Sequence, residues 1–217
     1  TTLADTVQQP LTVYQNRRWD ADFLTLWHLV EEGFLGRVHR FESRFERRRS
    51  EDGRTWRDSG GVDAGAGVLH DLGPHLIDQA VNLFGPVASV YAEVGTLREG
   101  AAADDDVFLA LNHTRGVHSH LWMSAVTDRS GPRFRVLGDK GVFTSEAMDP
   151  QEGRLRAGED PRAADWGVVA ETDWGVLSSD GHTRPVPSAR GAYQEFYAGV
   201  RDAVGEGEPL PVDPHEV

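Results

Sequence analysis

An amphipathic segment of the chain begins with Gly65-Ala66-Gly67-Val68-Leu69-His70-Asp71-Leu72-Gly73-Pro74-His75-Leu76-Ile77-Asp78. At about 100° per residue, one side of a helix here gathers polar side chains and the other side gathers leucines. The polar side comprises Asp71, His75, Asp78 and Asn82. The pattern predicts a helix from about Gly67 to Phe84, ended by Gly85-Pro86, with one face against a core.

Asp71 and His75 are the candidate chemical groups of this helix. They are four residues apart, so we expect their side chains to be neighbours. A carboxylate beside an imidazole can fix its tautomer and stabilise its protonated form, as a general base requires. An ordinary solvated helix face is the alternative, and the spacing alone favours it slightly. Pro74 removes one helix hydrogen bond, so we expect either a kink there or a start near Gly73.

Alternating patterns on both sides of this helix predict a sheet. Upstream, we expect a strand at residues 11–14, a helix that Asp20 caps and Gly33 ends, and a long strand at 37–47 with one wet face. Residues 49–66 form a polar connection. Downstream, strands are expected at 87–97, 106–113, 116–124, 133–137 and 141–145, more weakly near 174–177 and 183–186, before a final helix from Tyr193. Few helices beside hairpin-spaced strands predict one α+β domain with a mostly antiparallel sheet.

Composition excludes several classes of function. The formal charge is −13, from 35 acidic against 22 basic residues, whereas a nucleic-acid binder should be basic. An arginine cluster at 44, 47, 48, 49, 54 and 57 is therefore interpreted as a solvated strand end and loop. Absence of cysteine excludes disulfides and thiolate metal sites and favours a cytoplasmic location. No apolar stretch approaches the roughly 20 residues of a membrane helix, and residues 1–10 do not resemble a signal peptide.

Three other motifs predict no site of their own. Gly65-Ala66-Gly67 lacks the third glycine of a dinucleotide fingerprint and follows a polar loop. His118-Ser119-His120 places two imidazoles on one strand face, but without a third ligand we favour a plain sheet surface over a metal site. Lys140 is the single lysine of the chain, in a turn.

The helical motif resembles a family signature. Gly65-x-Gly67-x-Leu69-x-Asp71-x-Gly73-x-His75-x-x-Asp78 is similar to the C-terminal domain of the Gfo/Idh/MocA family, named after glucose–fructose oxidoreductase, inositol dehydrogenase and rhizopine catabolism. Residues 15–24 resemble the segment that joins the two domains of that family. Further matches recur in order as far as Trp166-Gly167, in a branch that includes NADP-dependent scyllo-inositol dehydrogenases.

The resemblance implies a nucleotide-binding domain followed by a substrate domain. The latter would have a large open sheet with helices on one face, as in the C-terminal domain of glyceraldehyde-3-phosphate dehydrogenase, and would form homodimers through the open face. Residues 1–16 would be the remnant of the nucleotide-binding domain, and residues 17–217 the substrate-binding and dimerisation domain. The cofactor, NADP or NAD, would be bound mainly by the preceding domain, so no cofactor-binding residue is assigned to this chain.

The resemblance also assigns residues to the site. His75 would accept the hydroxyl proton as hydride leaves for the nicotinamide, and Asp71 would orient the reacting oxygen. The family lysine lies in a Glu-Lys-Pro motif of the first domain, which Lys140 does not match. Arg17, Trp56 and Asp78 are the candidate substrate-binding residues. For Arg17 and Trp56 a structural role is an equal alternative, and for Asp78 a structural hydrogen bond is favoured over substrate contact. His70 stands where the family has tyrosine.

The resemblance therefore implies the substrate-binding and catalytic half of an NAD(P)-dependent oxidoreductase that acts on a sugar, polyol or inositol hydroxyl. The chain alone would be inactive, because the catalytic lysine and the cofactor domain are not part of it. Two alternatives remain open: a relative that uses NAD to hydrolyse glycosides, and a free-standing binding or dimerisation module without activity.

Overall fold

A computed structural model describes residues 2–49 and 64–216. Its strands are β1 (Val38–Glu46), β2 (Val87–Gly95), β3 (Asp106–His113), β4 (His118–Ser124), β5 (Phe134–Gly138), β6 (Val142–Ser145), β7 (Val176–Ser179) and β8 (His182–Pro185). Its α-helices are α1 (Thr2–Val7), α2 (Ala21–Glu31), α3 (Val68–Phe84), α4 (Gln151–Arg156) and α5 (Tyr193–Glu206). Short 3-10 helices cover Asn16–Trp19 and Glu171–Asp173.

The described strands form one eight-stranded sheet in the order β2-β3-β4-β1-β5-β6-β7-β8. β1 runs parallel to β4, with Phe41 opposite Ser119, and antiparallel to β5, with Phe41 opposite Val136. The other neighbours are antiparallel. The prediction of an α+β domain with a large, mostly antiparallel open sheet is confirmed.

Helix α3 covers the middle of one sheet face, where it packs on β4, β1 and β3. Leu76 from the helix meets a core in which Phe41, Leu121 and Met123 are buried. Full burial of such a side chain stabilises the fold by about 1.5–3 kcal/mol. The alternation in β1 therefore fixes the strand register, because a slip of one residue would turn Phe41 away from the core.

The start of α3 is fixed by a residue far along the chain. Gly67 precedes the helix with a φ of 99°, in the region that favours glycine. A Cβ at this position would overlap the Asp104 carboxylate, which accepts a hydrogen bond from the Leu69 N–H at 2.7 Å. The helix then continues from Val68 to Phe84 through Pro74, so the start expected near Gly73 is wrong.

Two local predictions at the beginning of the chain are also wrong. Residues 11–14 form no strand, because no strand among the described residues lies beside them to complete a ladder. Asp20 occupies the position before α2, but its carboxylate makes no capping hydrogen bond. Asp149 accepts the hydrogen bond from the Ala21 N–H instead, at 2.7 Å. The Asp20 carboxylate faces Arg17 and Tyr193, which bring it into the buried network described below.

Candidate active site

Helix α3 places Asp71 and His75 on the wall of a polar cavity of about 260 Å³. The 3-10 helix, the end of β1 and helix α4 supply the other walls. The lining residues are Asn16, Arg17, Phe45, Glu46, Arg47, Asp71, Leu72, His75, Met148, Glu152 and Arg156. This volume lies just below the usual range for pockets of drug-sized ligands, roughly 300–1,000 Å³, and suits a smaller molecule of monosaccharide size.

The His75 imidazole is neutral, and one hydrogen bond fixes which ring nitrogen carries the proton. Its Nδ1 lies 3.2 Å from Oε1 of Gln15, so with the amide oxygen as acceptor Nδ1 carries the proton and Nε2 keeps a lone pair. Burial and the Arg17 cation lower the pKa of His75 to about 4, although Asp71 and Asp78 act in the opposite direction. A neutral imidazole with one free lone pair can accept a proton at neutral pH.

Asp71 is held by an arginine. Its Oδ2 accepts a hydrogen bond from Nη2 of Arg49 at 2.6 Å. Asp71 and His75 line the same cavity, but the described hydrogen-bond acceptor of the imidazole is Gln15 rather than Asp71. The expected role of Asp71 in fixing the tautomer is thus taken by a residue of the segment that precedes the 3-10 helix.

Arg17 lies in the cavity wall between three partners. Its guanidinium donates to Asp20, to the Tyr193 hydroxyl at 3.2 Å and to Glu152. Burial opposes the Arg17 cation, but Asp20, Tyr193 and Glu152 outweigh it and raise the Arg17 pKa. Arg17 therefore stays charged and contributes a fixed positive charge to the cavity. Its Nε is buried and has no hydrogen-bond partner among residues 2–49 and 64–216.

Beneath Arg17, a buried network connects the 3-10 helix to the sheet. Arg133 donates to Asp22 at 3.0 Å, to Ser43 at 2.6 Å and to Gln79 at 2.9 Å. Gln79, one turn beyond His75 on α3, in turn donates to the backbone oxygen of Arg17 at 2.9 Å. This chain of bonds fixes the position of Arg17 relative to the helix that carries His75.

The other predicted substrate residue that the structure describes is Asp78. Asp78 is outside the cavity and accepts two hydrogen bonds from Arg18, at 2.9 and 2.6 Å. The structure therefore favours the structural role that the sequence left open for Asp78. Trp56 lies outside the described residues. Of the five predicted site residues, the structure brings together Arg17, Asp71 and His75.

Several residues that line this cavity, or that contact His75 in its wall, carried no assigned role in the sequence. Gln15 and Glu152 lie in segments that match the family, but a polar residue outside a predicted helix or strand gives no periodic signal that points to a site. Arg47 belongs to the arginine cluster that we interpreted as a solvated strand end. Arg47 lies beside the cavity because the end of β1 packs next to α3, and this packing cannot be predicted from a single sequence.

The two strand histidines lie on the sheet surface opposite α3. Nδ1 of His118 is 2.6 Å from Oδ1 of Asn112, and the His120 ring packs against Phe108 and Trp122. Within residues 2–49 and 64–216 no group of three or more histidine, aspartate or glutamate side chains could hold a metal ion. In the same described ranges no helix is long and apolar enough to cross a membrane.

The fold and the cavity define a class of domain: an α+β unit in which one helix, packed on an open sheet, presents an imidazole and a carboxylate to a small polar cavity. Residues 23–144 match the family described as the GFO/IDH/MocA C-terminal domain. The chain belongs to this family, and the resemblance inferred from the helical motif is confirmed.

Relatives of known sequence match almost the whole chain. The scyllo-inositol 2-dehydrogenase (NADP(+)) IolW of Bacillus subtilis (strain 168) is 36% identical over 210 residues, which cover 95% of this chain and 58% of that protein. The uncharacterized oxidoreductase YdgJ of Escherichia coli (strain K12) is 40% identical over 216 residues, which cover 96% and 61%. This chain thus spans about three-fifths of the length of these relatives.

A solved structure shows the same architecture. The structure of a protein described as the "putative oxidoreductase yvaA" of Bacillus subtilis superposes with a TM-score of 0.92 at 35% sequence identity. The match covers 99% of this chain and 62% of the other.

Proposed function

We propose that this chain is the substrate-binding and catalytic part of an NAD(P)-dependent oxidoreductase that acts on a hydroxyl of a sugar, polyol or inositol. The observation that carries the proposal is the neutral His75 imidazole on the wall of a polar cavity, with Gln15 on Nδ1. The names of the relatives support it, since one is a scyllo-inositol 2-dehydrogenase and another an oxidoreductase.

In this proposal His75 is the general base. Its Nε2 accepts the proton of the substrate hydroxyl while the carbon that bears it loses a hydride, so that the alcohol becomes a carbonyl. A nicotinamide bound by the rest of the protein supplies the hydride acceptor. The cavity is consistent with these separate roles, because a volume of about 260 Å³ suits a molecule of monosaccharide size.

Arg17 and Asp71 act on the same oxygen in different ways. Arg17 keeps its charge next to the base, so it stabilises the negative charge that develops on the oxygen as the proton leaves. Asp71 accepts a hydrogen bond from a substrate hydroxyl and remains oriented by Arg49. We assign residues 1–16 to the preceding nucleotide-binding domain, and the catalytic lysine to that domain as well.

The open sheet face is the proposed homodimer surface. Phe108 packs against Trp122 at 5.1 Å between ring centroids, and the guanidinium of Arg44 lies 3.9 Å from the Trp122 ring centroid. Aromatic and arginine side chains of this kind are enriched at protein interfaces. Substitution of Phe108 by aspartate should shift the protein to monomer in light-scattering measurements, and an unchanged mass would contradict this surface.

The test of the catalytic assignment is His75→Ala in the intact protein. Loss of a general base lowers hydride transfer by about 10²–10⁴-fold, while cofactor binding should stay nearly unchanged. His182→Ala, on the exposed strand β8, is the matched control and should keep normal turnover. Normal turnover by His75→Ala would refute the assignment. Sugar release without net cofactor reduction would instead support the glycoside-hydrolysing alternative.

A further inference from the structure

The end of β1 directs a second arginine into the cavity. After Glu46 the backbone continues its ladder with β4, since the N–H of Arg47 donates to Ser124 O at 3.0 Å and that of Arg49 to Ala125 O at 2.9 Å. Alternation in an extended chain places Arg47 and Arg49 on one side and Arg48 on the other. Arg49 accordingly reaches Asp71 on α3, Arg47 lines the cavity, and Arg48 pairs with Asp128.

The arginines around Arg47 have ion-pair partners, whereas Arg47 has none among the described residues. Arg49 pairs with Asp71, while Arg17 and Arg156 share the Glu152 carboxylate. Among the described residues no carboxylate lies within ion-pair distance of the Arg47 guanidinium. Burial and the nearby cations Arg49 and Arg156 lower its pKa, whereas Glu152 and Asp71 act in the opposite direction.

Arg47 faces the cavity next to two other cations, Arg49 and Arg156. Such an arrangement is suited to bind an anion. The guanidinium offers paired N–H donors that match the two oxygens of a carboxylate or phosphate. The overall charge of −13 would repel an anion at long range, so retention of one requires local cations. The opposite part of the cavity wall, with Asp71 and His75, is suited to hydroxyl groups.

We propose that the cavity binds a polyhydroxylated substrate that also carries an acidic group, and that Arg47 receives this group. A sugar acid of six carbons fits both the volume and the distribution of charges. The inference rests on the proposed function, because it places the acidic group in the same cavity as the base His75.

Binding of matched acid and neutral ligands tests the proposal. The full 217-residue chain is titrated calorimetrically with D-glucuronate against D-glucose, and with D-gluconate against D-glucitol, at constant ionic strength. We expect the acid of at least one pair to bind about tenfold more tightly than its neutral partner, as one charge-assisted contact predicts. Arg47→Gln should abolish this preference. Arg48→Gln removes the same charge outside the cavity and should keep it.

Each other outcome has a definite meaning. Equal binding of acid and neutral ligand would overturn the anion site and leave the proposed oxidoreductase function in place. A preference that survives in Arg47→Gln would overturn the role of Arg47. Displacement of the acid by NADP⁺ would transfer the site to a cofactor phosphate and so overturn the substrate assignment. If neither acid binds, the inference is overturned, and the hydride-transfer assay of His75→Ala decides the proposed function independently.

Discussion

Arg133→Met tests whether the buried network under the cavity stabilises the domain. The Arg133 side chain is 1% exposed and lies over the rings of Phe45 and Phe134 at 4.0 and 3.9 Å. Methionine fills much of the same space but removes the cation. It leaves the buried Asp22 carboxylate without its ion-pair partner, and it leaves Ser43 and Gln79 without a donor.

The magnitude follows from breaking one side of a buried ion pair. Such changes cost about 3–5 kcal/mol, because the charge that remains is buried and uncompensated. Domains of this kind unfold with roughly 5–15 kcal/mol, so the loss is a large fraction of the total. At about 2–4 °C for each kcal/mol in a chain of this size, the melting temperature should fall by about 10 °C.

Urea unfolding followed by tryptophan fluorescence measures this effect. Arg135→Met, two residues further on in β5, is the matched control, because Arg135 is 41% exposed and its pair with Glu42 should contribute at most about 1 kcal/mol. Adding Asp22→Asn to Arg133→Met removes the stranded charge and should restore about 1 kcal/mol or more. A loss in Arg133→Met no larger than that in Arg135→Met would refute the reasoning.

Three further predictions concern single groups. The His75 ring should titrate near pH 4 in NMR spectra. Its pKa in the folded protein lies below the unfolded value of about 6.5, so protonation of the unfolded chain lowers the free energy of unfolding. This loss should be absent above pH 6.5 and should grow as the pH falls towards 4. A titration midpoint at or above pH 6.5 would contradict the assignment of a neutral, buried His75. So would a difference in unfolding free energy between the wild type and His75→Gln that does not change between pH 6.5 and pH 4. Tyr193→Phe removes the hydroxyl that donates to the buried Asp20 at 2.7 Å and should cost about 1–3 kcal/mol in urea unfolding, against nearly none for Tyr197→Phe at an exposed position. Gly67→Ala should destabilise more than Gly85→Ala in thermal melts, because both have positive φ but only the first would also overlap Asp104; equal losses would show that the cap of α3 is dispensable.

Local patterns were sufficient to predict the elements that form the sheet and the catalytic helix. Helix α3 has a strong periodicity and glycines at both ends, and the alternation in β1 separates Phe41 from the wet face. Where the prediction was wrong, a distant residue competed with a local rule. Asp149, more than a hundred residues along the chain, replaces Asp20 as the partner of the Ala21 N–H.

The site was predictable only where it lies on one helix. Asp71 and His75 share a helix face, so spacing alone brings them to the same cavity. Gln15 reaches the His75 ring and Arg47 reaches the cavity from other segments, and their positions depend on packing between elements. The identity of the group bonded to Nδ1 of His75 is therefore a property of the tertiary fold.

The parallel pairing of β1 with β4 has a consequence for the order of folding. The pairs β2–β3, β3–β4, β5–β6 and β7–β8 are antiparallel neighbours close in sequence, so these hairpins can associate early. Strand β1 joins β4 to β5, and it must close loops in which residue 41 meets residues 119 and 136. On a ribosome that closure waits until both partner strands have emerged. Because the end of β1 carries Arg47, the binding cavity is assembled in this late step, and a local opening of β1 would dismantle it while the flanking hairpins persist.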